Sequence, residues 1–125
     1  MTKMNVAFVG CGEVAHFHAD VLAALGVSIS SVSGQPGSLR ARAFAEKYRV
    51  LEVYDRWEDQ VATEEPDAFW VVSRWDQIQN VLIPLLQSDV PCFFEKPVAL
   101  SSSILKEALS LLQERQTPCL VGYNR

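Results

Sequence analysis

The amino-acid sequence predicts an α/β fold: a doubly wound, mostly parallel sheet held between helices in three α/β/α layers. Three observations carry that expectation. Short apolar runs alternate with helix-period segments along the whole chain, as in a parallel sheet covered on both faces. The first run, Asn5 to Val9, is continuous rather than alternating, which suits a strand buried on both sides. It leads straight into Gly10-Cys11-Gly12-Glu13-Val14-Ala15, a glycine-rich loop that opens a helix. Right-handed crossovers then leave a doubly wound sheet as the simplest topology.

The first helix is expected from Glu13 to Leu25, with Val14, Phe17, Val21, Leu22 and Leu25 on its inward face and Gly26 as its stop. Val27 to Val32 reads as a second strand. Gly34-Gln35-Pro36-Gly37 is a turn, and Ser38 caps a second helix that buries Ala41, Phe44, Ala45 and Tyr48. Arg40, Arg42, Lys47 and Arg49 lie on that helix's other face. A short strand follows around Glu52 to Tyr54. Asp55-x-x-Glu58 and Asp76-x-x-Gln79 have the form of capping boxes, so each is expected to start a helix. The second of these helices carries Ile78, Val81, Leu82, Leu85 and Leu86, and Pro84 removes one of its backbone donors. Ala68 to Val72, Cys92 to Phe94 and Pro118 to Val121 are strands. Ser101 to Arg115 is the last helix, with Ile104, Ala108, Leu111 and Leu112 inward.

The 125 residues are expected to form one domain, residues 1–125. With 49% apolar and 21% charged residues the composition is globular rather than disordered. A net charge of −4 and a pI near 5.1 disfavour nucleic acid as a partner. No apolar run approaches the roughly 18 residues that would cross a bilayer, so no membrane partner is expected. Residues 1–12 lack the pattern of a signal peptide. Cys11, Cys92 and Cys119 are odd in number and form no C-x-x-C pair. They are expected to be small buried thiols in a reducing compartment, the cytoplasm.

The glycine loop carries the clearest chemistry. Gly10 allows the tight turn, Gly12 lets the backbone approach a pyrophosphate, and Ala15 lets the helix pack closely on the strand. Amides near Glu13 and Val14 then face the phosphates, whose charge the helix dipole favours. The end of the second strand lacks the acidic residue that would grip a ribose hydroxyl and reads Ser33-Gly34-Gln35. Arg40 and Arg42 could reach a 2′-phosphate or simply form a solvated helix face, so the choice between NAD and NADP stays open. Beyond another strand stands Glu95-Lys96-Pro97, where Lys96 could stabilise negative charge on a reacting oxygen and Glu95 could hold its ammonium. The bland alternative is a surface ion pair. His16 and His18, at i and i+2, point to different sides of the helix and read as packed or capping residues, His18 inward and His16 outward. Phe69, Trp70, Phe93 and Phe94 read as core. Trp75, beside Arg74, follows a strand end at the rim of the expected site.

These residues resemble the N-terminal domain of the glucose–fructose oxidoreductase/inositol dehydrogenase (Gfo/Idh/MocA) family. The resemblance rests on Gly10-Cys11-Gly12-x-x-Ala15-x-x-His18, Ala41-Arg42-Ala43-Phe44-Ala45, Glu95-Lys96-Pro97 and Val121-Gly122-Tyr123-Asn124-Arg125. It implies a Rossmann-like domain binding NAD or NADP, with Lys96 catalytic near the nicotinamide. The cofactor contacts it implies are Gly10, Gly12, Glu13, Val14, Ala15, Ser33, Gly34, Ser73, Arg74, Trp75, Glu95, Lys96 and Asn124, with no metal. Where the family usually has threonine–proline–asparagine and then a histidine, this chain has Ser73-Arg74-Trp75 and Ile78. The family's second domain supplies the substrate pocket and an acid/base, and the sequence stops at Arg125, where that domain would begin. The resemblance therefore implies a cofactor-binding domain that is catalytically incomplete alone, from an oxidoreductase moving hydride between nicotinamide and a small sugar- or polyol-like substrate. Two alternatives stay open: a degenerate, non-enzymatic module that senses nucleotide or binds a partner, and a glycosidase relative that retains NAD. Apolar surface left uncovered would favour homo-oligomers.

Overall fold

A computed structural model describes residues 3–122 of the chain. The elements in order are β1 (Asn5–Val9), α1 (Glu13–Ala24), β2 (Ser28–Ser33), α2 (Leu39–Tyr48), β3 (Glu52–Tyr54) and α3 (Trp57–Thr63). They continue with β4 (Ala68–Val71), α4 (Ile78–Leu86), β5 (Cys92–Glu95), α5 (Ser102–Arg115) and β6 (Cys119–Gly122). All strand pairs are parallel, and the sheet order is β3-β2-β1-β4-β5-β6. The expected doubly wound α/β topology is what forms, with the order reversing between β1 and β4.

Alternation along β1 divides the core. Val6 and Phe8 pack with Ala15, Ala19 and Leu22 of α1 and Phe44 and Ala45 of α2. Ala7 and Val9 face the opposite layer, with Ile78, Val81 and Leu85 of α4, Ala108 of α5 and Phe69, Val71 and Phe94 of the sheet. Both sides of β1 are therefore dry, which is why its sequence is a continuous apolar run. A register shift between Val6 and Ala7 interrupts its pairing with β2. The fully buried Gln60 of α3 donates to the Phe8 carbonyl at 3.0 Å and to Ser31 Oγ at 2.9 Å, serving polar groups of these two strands.

α1 departs from the expectation. Only Leu22 of the anticipated stripe is buried, whereas Phe17, Val21 and Leu25 are 68%, 60% and 72% exposed and Val14 is also exposed. The face against the sheet is Ala15, Ala19 and Leu22. The glycine loop brings the start of α1 close to the strands, and only methyl side chains fit beneath it, both alanines being 0% exposed. The larger apolar residues are rotated outward.

Two anticipated caps also fail, because their acids have other partners. Asp55 accepts from the Gly37 amide at 3.1 Å, and Asp76 pairs with Arg74. α3 and α4 start with no side-chain cap. Ser38 does cap α2, accepting from the Ala41 amide at 3.1 Å. Pro84 lies inside α4 as expected.

Trp70 and Phe93 are half-buried rather than core. They stack on each other at 4.5 Å on the α1 side of β4 and β5. Next to them Leu120 of β6 is 67% exposed. Among the thiols only Cys92 is buried; Cys11 and Cys119 are half-buried. Among the described residues, no helix is long and apolar enough to cross a membrane.

Candidate functional site

A cleft of about 560 Å³ opens beyond the carboxyl ends of β1, β2, β4 and β5, at the point where the strand order reverses. Open parallel sheets bind ligands at this place, and the volume is in the range of cofactor sites.

Gly10 ends β1 with φ +106° and donates to the Ser33 carbonyl at 3.0 Å. A Cβ here would stand 2.7 Å from the Ser73 backbone nitrogen, so Gly10 is required by the fold itself. Gly12 differs. It is the N-cap of α1 with extended backbone, and a Cβ on it would meet nothing within 4 Å. It borders the cleft, so the space a side chain would occupy belongs to the cavity. No side chain caps α1, which leaves the amides of its first turn facing the cleft mouth with the positive end of the helix dipole.

From the end of β2, Ser33 and Gly34 form the adjoining wall. Gly34 packs against Cys11 Sγ and Ser38 Cβ, 3.1 and 3.3 Å from where its Cβ would lie. Burial pushes the Cys11 thiol up, opposed by its hydrogen bond with Ser38 and by the charge of Arg40. Arg40, Ser38 and Gln35 line this end of the cleft, where the carboxylate that usually holds a ribose is missing.

On the other side β4 delivers Ser73, Arg74 and Trp75. The Ser73 hydroxyl donates to the Val9 carbonyl at 3.1 Å, tying this loop to β1. Arg74 lines the cleft, but its guanidinium is engaged by Asp76, with Nη2 2.9 Å from Oδ2. That bond raises the Arg74 pKa and lowers that of Asp76. Trp75 is 60% exposed at the rim.

β5 delivers Glu95 and Lys96 to the floor of the site. Glu95 does not hold the lysine ammonium. Its Oε1 lies 2.8 Å from His18 Nε2, and its Oε2 accepts from the Lys96 backbone amide at 3.3 Å. The Lys96 side chain is exposed and forms no ion pair among the described residues. His18 thus sits on the flank of α1 beside β5 rather than in its core. His16 is half-buried rather than outward, 5.3 Å from the Phe44 ring, with Nδ1 3.2 Å from the Tyr48 hydroxyl. That hydroxyl donates to Asp20 at 2.6 Å.

Of the expected contacts, Gly10, Gly12, Glu13, Val14, Ser33, Gly34, Ser73, Arg74, Trp75, Glu95 and Lys96 border one cleft. Ala15 lies beneath it as packing, and Asn124 lies outside the described residues. Sequence reasoning missed Cys11, Gln35, Ser38, Trp57 and Gln77 on its walls. The position of Cys11 between two loop glycines was an available signal. Trp57 and Gln77 arrive from α3 and the α4 entry and had none.

Comparison with known proteins agrees with this fold. Inositol 2-dehydrogenase from Corynebacterium glutamicum is 29% identical over 126 residues, covering 98% of this chain but 37% of the relative. The chain thus spans little more than a third of the curated relative's length. Myo-inositol 2-dehydrogenase from Lactobacillus plantarum superposes with a TM-score of 0.87 at 20% identity, over 97% of this chain and 36% of that one. The WlbA dehydrogenase from Chromobacterium violaceum, solved with NADH and UDP-GlcNAcA, gives 0.85 at 19% identity, over 96% and 35%. Residues 4–123 match the GFO_IDH_MocA family model, the oxidoreductase family with an NAD-binding Rossmann fold, and the chain belongs to that family as its dinucleotide-binding domain.

Proposed function

We propose that the cleft holds a nicotinamide dinucleotide and that the protein serves hydride transfer to or from a hydroxyl or carbonyl of a sugar- or polyol-like substrate. The open space over Gly12, beside the uncapped start of α1, is the observation that carries this reading. Backbone amides of Glu13 and Val14 would receive the diphosphate, and the dipole of α1 would favour its charge. The nicotinamide, when bound, supplies or accepts the hydride. Lys96, with no ion pair among the described residues and at the β5 end of the cleft, would donate to the substrate oxygen and stabilise negative charge on it. The carboxylates on the cleft are Glu13, at the start of α1, and Glu95, whose oxygens are engaged by His18 and the Lys96 amide. Among the described residues no histidine or aspartate lines it, so a further proton-transfer group would complete the site. The likeness to inositol 2-dehydrogenase supports a polyol, and residues 1–125 are read as one cofactor-binding domain. Three free cysteines suit a reducing cytoplasm.

At the β2 end, Ser33 leaves no carboxylate to repel a 2′-phosphate, and Arg40 stands on the same wall. NADP is therefore accepted at least as well as NAD. A partner-binding or self-associating module is a second reading, favoured by the exposed Phe17, Val21 and Leu25.

Titration of the 125-residue protein with NADH and NADPH, followed by tryptophan fluorescence, tests these readings. Saturable binding is expected. Gly12→Asp should abolish it while leaving the circular dichroism unchanged, since its side chain enters open space. Arg40→Ala should weaken NADPH roughly tenfold and spare NADH. Flat titrations of the folded wild type would leave the binding-module reading in place of the enzymatic one.

A further inference from the structure

The residues that hold Glu95 form a directed chain of hydrogen bonds starting outside the cleft. Trp70 of β4 and Phe93 of β5 are cross-strand partners whose rings stack at 15°. His18 packs against both, 6.2 and 5.2 Å between ring centroids. The Trp70 indole Nε1 lies 3.2 Å from His18 Nδ1, and His18 Nε2 lies 2.8 Å from Glu95 Oε1. An indole N–H only donates, so His18 Nδ1 presents its lone pair to it. The ring proton is then on Nε2 and points at the carboxylate. A second ring proton would set N–H against N–H at Trp70. Gly122 of β6 keeps the space clear: a Cβ there would come within 2.7 Å of the Phe93 ring and 3.3 Å of Glu95 Oε1. With Oε1 held by His18 and Oε2 by the Lys96 amide, both oxygens of Glu95 are committed.

We propose that Trp70 and His18 are positioning residues. Trp70 selects the Nε2–H tautomer of His18, His18 orients the Glu95 carboxylate, and Glu95 fixes the backbone from which Lys96 enters the cleft. Neither Trp70 nor His18 lines the cleft, so both act through Glu95. The inference rests on the reading of Lys96 as facing the nicotinamide end of the site. The bond chain itself does not.

Long-range nitrogen–proton NMR spectra of the imidazoles in the 125-residue protein test the chain without any cofactor. His18 should show a single Nε2–H tautomer at neutral pH. Trp70→Phe, which keeps a ring in the stack and removes the donor, should mix the tautomers while leaving His16 unchanged. His18→Ala should shift the Lys96 amide resonance as Glu95 is released. His18→Gln, whose amide can donate to the carboxylate, should restore it. An Nδ1–H tautomer in the wild type, or a Lys96 amide indifferent to His18→Ala, overturns the proposal. Titration then adds function: His18→Ala should weaken NADH roughly tenfold and leave ADP-ribose, which lacks the nicotinamide, unaffected. Equal NADH affinity in wild type and His18→Ala would remove the positioning role. A wild type that binds neither compound would remove the cofactor reading, whereas the tautomer result would stand apart from it.

Discussion

One face of the sheet is built in two ways. Over β1 and β2, α1 and α2 seal it, with Phe8 and Val32 of the strands and Phe44 of α2 fully buried between the layers. Over β5 and β6 the same face has no helix among the described residues beyond the flank of α1, which covers part of β4 and reaches Trp70 and Phe93 through His18. There Trp70 and Phe93 are half-buried and Leu120 is exposed, beside the outward stripe of α1. The difference follows from crossover direction. Connections running from β1 towards β3 place helices on one face, and those running from β1 towards β6 place them on the other. The sealed half is a rigid support for the glycine loop. The open half has room for the polar chain through His18 and for apolar surface that this domain does not cover itself.

The contrast makes stability predictions. Phe44→Ala, in the sealed half, should cost about 4 kcal/mol in chemical denaturation, from lost burial and the cavity left behind. Leu120→Ser, on the open half, should stay within about 0.5 kcal/mol. Equal costs would mean that the open face is covered in solution. Gln60→Ala should cost about 3 kcal/mol, because the Phe8 carbonyl and Ser31 Oγ lose their donor inside the core.

A smaller, pH-linked effect comes from β5. Burial, with the neighbouring Cys119 adding to it, pushes the Cys92 thiol up from 9.0 to about 12. Between those values the unfolded chain has lost this proton and the folded chain still holds it. Stability therefore falls as pH rises through that window, by about 1 kcal/mol per pH unit from this group. Denaturation midpoints from pH 8 to 11 should fall less steeply in Cys92→Ala than in the wild type. Parallel slopes would place Cys92 in a wetter setting than the opposite layer of the core.

Much of this was legible in the residues. The uninterrupted run of β1 announced burial on both faces, and the glycine loop with its strand before and helix after located the cleft. Ser38 capped where its position said it would. The inward face of α1 was not legible, because hydrophobic periodicity weighs Phe17 and Val21 above Ala15 and Ala19. Closeness of helix to sheet reverses that weighting, and it is a property of the assembled loop. The capping boxes failed for a related reason. Asp55 and Asp76 each found partners, the Gly37 amide and Arg74, that compete with the helix start. Gln60 and the Trp70–His18–Glu95 chain join residues 29 to 77 positions apart, beyond any local pattern.

The most direct test of the central claim is an amide NMR titration of the 125-residue protein with NADPH. The account predicts saturable shifts of the Gly12, Glu13 and Val14 amides at the start of α1, with the amides of α5 unmoved. Shifts confined to the exposed face around Phe17 and Leu120, with the glycine loop unperturbed, would contradict it.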